Sequence, residues 1–419
     1  MKVVHLNTHS YGGAAVVARR LHLAALAAGI DSQLITKYGL RSDTTAQYLP
    51  LRNAWLRYTL RARAAQPQLY RLGKLVQRRL QHRNLANRPS GYEIFSPLNT
   101  RQLYADCAAR FDPQVIHLHW IADFVDHAEF FAHNRQRKFV WTLHDMNPFT
   151  GGCHHADGCR GFASGCGECP QLKGTIDPGY AAHVLAAKGQ ALAVLQDDQL
   201  VITAPSQWLL ELSRQSPVTG RFRHVHVPNP GLRAQDARNV EDMKRWLGLP
   251  VDRKIVLFVS DNLRQPRKGI DVLFEAGRAM ARRDRIQFLG IGQPTDAARD
   301  LNIKFTGRVT DEDVLRMYYE CADVMVNPSM MENSPLTIIE ALSGGTPVIA
   351  FDVGGVRELV APGQGLVLPE RNATALAQAL EEALFQRGWD RAAIRCSVAR
   401  HDPQTVLGEF IKVYTELAA

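Results

Sequence analysis

The chain has 419 residues, 46% of them apolar, and its 50 Lys and Arg against 41 Asp and Glu give a formal charge of +9. That is enough apolar material for two cores of about 200 residues each. No apolar run approaches the roughly 20 residues needed to cross a bilayer, and Met1-Lys2-Val3-Val4-His5-Leu6 reads as a strand behind one cation rather than a secretory leader, so a cytoplasmic protein is expected, peripheral where it meets a membrane.

In chain order, the strand pattern near Val3 to Leu6 runs into Ser10-Tyr11-Gly12-Gly13-Ala14-Ala15 and a helical pattern through Val16, Val17, Leu21 and Leu23. Adjacent glycines admit a ligand where a side chain would collide, so Gly12 and Gly13 form either a ligand-facing loop or a plain tight turn. From Thr44 to Tyr92 there is no acidic residue, while Arg52, Arg57, Arg61, Arg63, Arg71, Lys74, Arg78, Arg79, Arg83 and Arg88 interleave with apolar and aromatic side chains. This predicts a basic amphipathic helical insertion over about 50–90, broken near Pro67. Its face over residues 52–88 suits anionic headgroups or polyphosphate, or is simply solvated. Nucleic acid is not expected, since no binding module accompanies the charge.

Further strand patterns lie near Gln33 to Ile35, Val115 to Leu118, Phe139 to Leu143, Leu200 to Ala204 and His224 to Val227, alternating with helical patterns as in a doubly wound sheet. His117 and His119 share one strand face, with Trp120 adjacent. His144 and Asp145 fall at a strand's carboxyl end, the ligand edge of an open parallel sheet. The glycine-rich loop 151–170 follows, with Cys153, Cys159, Cys166 and Cys169. Cys166-Gly167-Glu168-Cys169 has the spacing of a metal knuckle, and four thiolates close a structural zinc site while leaving no open position for catalysis; an iron–sulfur cluster uses the same ligands. Cys107, Cys321 and Cys396 stand alone and are expected to be buried.

Pro228-Asn229-Pro230-Gly231 punctuates the chain. Beyond it, strand patterns recur near Ile255 to Val259, Ile286 to Leu289, Ile303 to Phe305, Val324 to Asn327 and Val348 to Ala350. The first leads through Ser260-Asp261-Asn262-Leu263-Arg264-Gln265-Pro266-Arg267-Lys268-Gly269 into a helix with Ile270, Leu273, Phe274 and Gly277 inward, placing cations where a helix N-terminus suits a diphosphate. Asp311-Glu312-Asp313 imitates a metal motif but is expected only to cap a helix. After Asn327, Glu332 precedes a helix mouth at Asn333-Ser334-Pro335-Leu336-Thr337, with Ser334 as the expected N-cap and Glu340 inside a helix that ends at Gly344-Gly345.

Pro266-Arg267-Lys268-Gly269, Phe305-Thr306-Gly307-Arg308-Val309, Asn327-Pro328-Ser329, Glu332 and Glu340 with seven residues between them, Val348-Ile349-Ala350 and Gly354-Gly355 together resemble the retaining glycosyltransferases of the GT-B fold, glycosyltransferase family 4. The cysteine loop resembles a feature of a polysaccharide-building subgroup. The resemblance implies an α/β protein of two doubly wound Rossmann-like domains facing each other across a cleft. These are residues 1–228 for the acceptor, 229–402 for a nucleotide-diphosphate sugar, and a helix over 403–419 returning to the first domain. It implies a hexosyl transfer with retention, from a UDP- or GDP-sugar to a glycan or polyprenyl-diphosphate-linked acceptor, without an essential metal. His144 and Glu332 would be catalytic; Gly12, Gly13, Arg267, Lys268, Arg308, Val309, Asn333, Ser334, Leu336, Thr337 and Glu340 would hold the donor, Glu340 at the ribose; His119, Trp120 and Asp145 would lie on the acceptor side. The arginine usual at the place of Asn262 is missing, leaving Arg264 or Arg267 to replace it. A nucleotide-sugar epimerase or hydrolase of the same architecture is the alternative, followed by a nucleic-acid-binding protein.

Overall fold

The computed structural model describes residues 1–39, 45–48, 83–96, 105–233, 238–260, 265–294 and 299–418. The basic insertion therefore lies outside the described residues up to residue 82, as do Asn262 and Arg264. The chain divides into two compact units, one made of Met1–Ala204, Leu210–Val225 and Val413–Ala419, the other of Pro205–Leu209 and His226–Lys412.

In the first unit, β1 (Lys2–His9), α1 (Gly13–Ala27), β2 (Asp31–Tyr38) and β3 (Gln47–Tyr48) are followed by β4 (Val115–Leu118), α2 (His127–His133), β5 (Lys138–Thr142), α3 (Tyr180–Leu192), β6 (Leu200–Ala204), α4 (Gln207–Arg214) and β7 (Arg223–His226). The strands form one sheet ordered β3-β2-β1-β4-β5-β6-β7. Val115, Ile116 and Leu118 of β4 and Phe139 and Val140 of β5 are fully buried, because a parallel sheet is covered on both faces and selects unbroken apolar runs. β1 departs from that pattern with His5 and Asn7, each 1% exposed. The order reverses between β1 and β4, and at such a switch point the loops leaving neighbouring strands diverge and open a crevice. Gly12, Gly13, His119 and Trp120 all follow these two strands.

The second unit holds α5 (Val240–Trp246), β8 (Lys254–Val259), α6 (Ile270–Ala279), β9 (Ile286–Ile291), β10 (Ile303–Gly307), α7 (Glu312–Cys321), β11 (Val324–Asn327), α8 (Leu336–Ser343), β12 (Val348–Phe351), α9 (Val356–Leu359), β13 (Gly365–Leu368), α10 (Ala373–Phe385) and α11 (Arg391–Ser397). Its sheet runs β10-β9-β8-β11-β12-β13, with the switch between β8 and β11. Ile255 to Phe258 are fully buried, and α6 turns Ile270, Leu273, Phe274, Ala276 and Gly277 inward against them. The last helix, α12 (Pro403–Ala418), is shared, its final turns belonging to the first unit, where Tyr414 is 1% exposed.

Two local expectations are corrected. Ser334 does not cap α8: the N-cap is Pro335, without a side-chain bond, and the Ser334 hydroxyl is buried with no partner. Cys396 is exposed, whereas Cys107 and Cys321 are buried. Asp311 does cap α7, accepting from the N–H groups of Asp313 and Val314, so the acidic triplet is a helix start.

Candidate functional site

In the second unit the loops after β8 and β11 meet at the switch point. Pro266–Lys268 forms one turn of 3-10 helix, and Gly269, at φ 63, opens α6. A Cβ on Gly269 would stand 1.9 Å from the Pro328 carbonyl oxygen, so both conformation and space demand glycine there. The close approach lets the Met330 N–H donate to the Arg267 carbonyl at 2.7 Å and Arg267 NH1 donate to the Met331 carbonyl at 2.9 Å. Gly354 does the same from β12: at φ 54, its Cβ would lie 1.8 Å from the Glu332 carbonyl oxygen, and the Gly355 N–H donates to the Asn333 carbonyl at 3.1 Å. The glycines are thus the reason three separate loops form one rigid rim.

On that rim Lys268 Nζ donates to Glu332 Oε1 at 2.6 Å, and Arg267 NH1 lies 3.4 Å from the same oxygen. The Glu332 side chain is 10% exposed. Burial disfavours its charge, but Lys268 and then Arg267 outweigh burial and hold the carboxyl down at about 2. One anion between two cations leaves a net positive rim. Leu336 and Thr337 open α8, a helix of eight residues whose first N–H groups have no partner within the helix.

Other candidates point inward. Asn333 Oδ1 accepts from Ser206 Oγ at 2.6 Å, and Asn229 Nδ2 donates to the Ser334 carbonyl at 3.0 Å. Glu340 is 5% exposed and accepts from the hydroxyl of the fully buried Tyr319 at 3.0 Å. Arg308 is exposed just beyond β10, and Val309 packs on the edge of the core.

In the first unit, Gly12 (φ 88) precedes α1, and a Cβ on Gly12 or Gly13 would meet nothing within 4 Å, so this backbone faces open space. His144 and Asp145, just past β5, are half-buried. His144 Nε2 lies 3.1 Å from His119 Nδ1. Burial pushes His144 down to about 4 against the pull of Asp145, so the ring is neutral at physiological pH. Asp145 is gripped from three sides: Trp120 Nε1 donates to Oδ2 at 2.7 Å, His154 Nδ1 lies 2.6 Å from Oδ2, and the Asn147 N–H donates to Oδ1 at 2.8 Å. Burial raises this carboxyl, yet His154 and the bonds around it draw it to about 2. His154, from the cysteine loop, is a residue that sequence reading did not assign here; its proximity to Asp145 exists only because the loop folds back.

The four loop cysteines line one cavity of about 20 Å³, together with Phe95, Gly151, Gly161, Phe162 and Ala181. That is room for a single small ion or water. Two sulfurs already accept backbone N–H bonds, Cys166 from Gly151 at 3.3 Å and Cys159 from Gly161 at 3.4 Å. Burial pushes Cys153 up to about 12 and raises Cys166 and Cys169. Fully buried Lys188 is driven down to about 8 by burial while Cys153, Asp145 and Cys166 pull it back, and Arg88 is similarly drawn by Cys169 and Cys153. The four sulfurs share this cavity but do not come within metal-ligand spacing of one another, so a metal would have to draw them together; among the described residues the group with that spacing is His5, His117 and His119.

Residues 253–386 match the family described as Glycosyl transferases group 1. The chain is 25% identical to the protein named "Putative colanic acid biosynthesis glycosyl transferase WcaC" of Escherichia coli (strain K12), over 100% of both chains. Among solved structures it is similar to HepE from Anabaena in complex with UDP and glucose, at a TM-score of 0.63, 14% identity and 99% coverage of both chains. It is also similar to sucrose-phosphate synthase from Thermosynechococcus elongatus, at a TM-score of 0.61, 19% identity and coverage of 99% and 98%. The chain accordingly has the GT-B fold, and over residues 253–386 it is similar to the glycosyl transferases of group 1, as its motifs implied.

Proposed function

We propose that the protein moves a hexose, with retained anomeric configuration, from a UDP- or GDP-sugar to a glycan or polyprenyl-diphosphate-linked acceptor in bacterial polysaccharide assembly. The observation that carries the donor assignment is the Arg267–Lys268 pair held over Glu332 beside the start of α8. In the reaction, the acceptor hydroxyl oxygen bonds to the anomeric carbon while the bond from that carbon to the diphosphate oxygen breaks, its electron pair leaving with the phosphate. The acceptor's proton passes to the departing phosphate oxygen. Negative charge grows on that oxygen, and Arg267 and Lys268 are the cations that meet it. Glu332, kept ionised by the same cations, accepts hydrogen bonds from the sugar hydroxyls, and Glu340 turns from Tyr319 to the ribose. His144 is the catalytic contribution of the first unit, and His119, Trp120 and Asp145 form the acceptor edge.

HepE was solved with UDP and glucose, and the relative WcaC is named for colanic acid biosynthesis; both support this choice of substrates. Catalysis needs no metal in this reading. Cys153, Cys159, Cys166 and Cys169 hold a structural zinc that stiffens the loop behind Asp145. Among the described residues no helix is long and apolar enough to cross a membrane; the basic stretch 52–88 is proposed to rest the protein on an anionic cytoplasmic surface, where a lipid-linked acceptor resides.

The test is incubation with labelled UDP- and GDP-sugars, with and without a lipid-linked acceptor, and determination of the product's anomeric configuration by NMR. Label should enter lipid only when acceptor is present. Equal turnover without acceptor would sink the transferase reading in favour of hydrolysis or epimerisation.

A further inference from the structure

The carboxyl edge of the first unit's sheet carries a ledge of aromatic rings that continues outward from Trp120. Parallel pairing sets His9, the last residue of β1, beside Tyr38, the last of β2, and their rings stack with centroids 5.4 Å apart. The His9 ring also lies 4.9 Å from that of Tyr11, in the loop before α1, and 5.5 Å from that of Trp120. Trp120 in turn has the His154 ring 5.2 Å away and donates to Asp145. The rings therefore run from the end of β2 to the residues already placed on the acceptor side. Tyr11 is 47% exposed and Tyr38 44%. Adjacent exposed rings, unlike scattered ones, mark a surface that binds something.

Buried hydrogen bonds hold the ledge in place. Asn7, 1% exposed, accepts from the Trp120 N–H at 2.9 Å and donates through Nδ2 to the His9 carbonyl at 2.6 Å. The Thr8 N–H donates to the Trp120 carbonyl and the Ser10 N–H to the Tyr38 carbonyl, both at 2.8 Å. Buried polar groups must find partners, and here the partners tie the exits of β1, β2 and β4 together, so the rings are positioned before any ligand arrives. Polar groups flank them. The Tyr38 hydroxyl donates to Asp123 Oδ2 at 3.2 Å, and Lys37 Nζ lies 3.2 Å from the same oxygen and 4.9 Å from the centre of the Tyr38 ring. The Asp123 side chain is 59% exposed, and a carboxylate accepts more bonds than these two.

We propose that the ledge is a subsite for a second acceptor sugar: the acceptor is a glycan of at least two sugars, the terminal one at Trp120 and Asp145 and the next on Tyr11 and Tyr38. This rests on the reading that the first unit binds the acceptor of a sugar transfer. A pyranose has an apolar face of C–H groups and a rim of hydroxyls, which matches flat rings flanked by a carboxylate and an ammonium. A hydrocarbon chain would strip water from Asp123 and Lys37 and give them no bond in return. A diphosphate would meet Asp123 as a like charge. Tyr11 and Tyr38 are binding residues here and take no part in the chemistry.

The test uses the full-length protein, labelled UDP- and GDP-sugars, and polyprenyl-diphosphate-linked glycans of one, two and three hexoses as acceptors. KM should fall at least about tenfold from one sugar to two, with little further change at three. Tyr11→Ala and Tyr38→Ala should each raise KM for the two-sugar acceptor roughly 5- to 10-fold, while kcat, KM for the nucleotide sugar and KM for the one-sugar acceptor stay as they were. Tyr38→Phe keeps the ring and should lose much less. Equal KM for one- and two-sugar acceptors in the unmodified protein overturns the proposal. So does a tyrosine variant that weakens all acceptors alike or lowers kcat, since the ring would then only support the loop. Should the variants fail to fold, a free hexose disaccharide that shifts neither tyrosine's ring signals in the NMR spectrum of the unmodified protein overturns it alone. Shifts at both rings with the disaccharide but not the monosaccharide, in a protein that transfers no sugar, would instead leave the ledge standing and remove the transferase reading.

Discussion

Lys268→Ala removes one of two cations from a buried carboxylate and, by the donor assignment, one contact to a diphosphate. In the native chain, Lys268 leads the interactions that bring the Glu332 carboxyl from 4.5 to about 2 against the penalty of burial. A fall of that size corresponds to on the order of 3 kcal/mol. With Arg267 still 3.4 Å away, the variant should lose about half, roughly 1.5 kcal/mol, at neutral pH. A charge-assisted bond to phosphate contributes about 1.5–3 kcal/mol, so affinity for UDP or GDP should fall roughly 10- to 150-fold. Titration calorimetry at fixed ionic strength reads the affinity, and thermal unfolding of the same samples reads the stability. Lys268→Arg should keep most of both. If Lys268→Ala loses stability as expected but binds nucleotide unchanged, the ion pair is only structural and the donor site lies elsewhere.

Glu332→Gln leaves two cations without their anion: nucleotide diphosphate binding should hold or tighten while transfer falls by at least about 100-fold, a split that steady-state kinetics and calorimetry together resolve. Gly269→Ala drives a Cβ into the Pro328 carbonyl and should cost about 3 kcal/mol or more, seen as a large drop in melting temperature or loss of soluble protein. Protein purified without chelators should carry near one zinc per chain, lost in Cys166→Ala; absence of metal in the native protein would refute the tetrathiolate centre. Acid stability has two phases. The folded-state pKa of His5 (about 3) and His144 (about 4) lies below the unfolded 6.5, so the unfolded chain takes up protons first and stability present above pH 6.5 declines below it. The Glu332 contribution is full above 4.5 and is lost as pH falls towards about 2. Melting temperature should therefore begin to fall near pH 6.5, and a flat profile down to pH 4.5 would contradict the buried neutral imidazoles.

Much of the fold is written in short-range pattern. The run Ile255 to Val259 announces a buried parallel strand because every position in it is apolar, Val115 to Leu118 does so with His117 as its one polar member, and the helices between betray themselves by their inward faces. The half-buried Gly365–Leu368 strand and the two-residue Gln47–Tyr48 strand were not legible, the first because it is partly exposed and glycine-led, the second because it is too short to carry a period. At the proposed site, charges beside helix starts single out Arg267, Lys268 and Glu332 in the sequence, whereas His144 stands out by its place at a strand end and by the family resemblance. Ser334 was misread as a cap because a serine before proline has that local signature, while the packing at Asn229 turns its backbone inward.

What the sequence determined by itself is the succession of elements, the doubly wound architecture and the glycines that its loops require, all of which depend on neighbours a few residues apart. What tertiary structure alone decided is which charges meet. Lys268 finds Glu332 across 64 residues, His5 finds His119 across 114, and Asp145 finds a histidine from a loop that returns upon it. Such pairs are set by the order of strands in the sheet and by buried groups having to find partners, and neither constraint leaves a period in the chain.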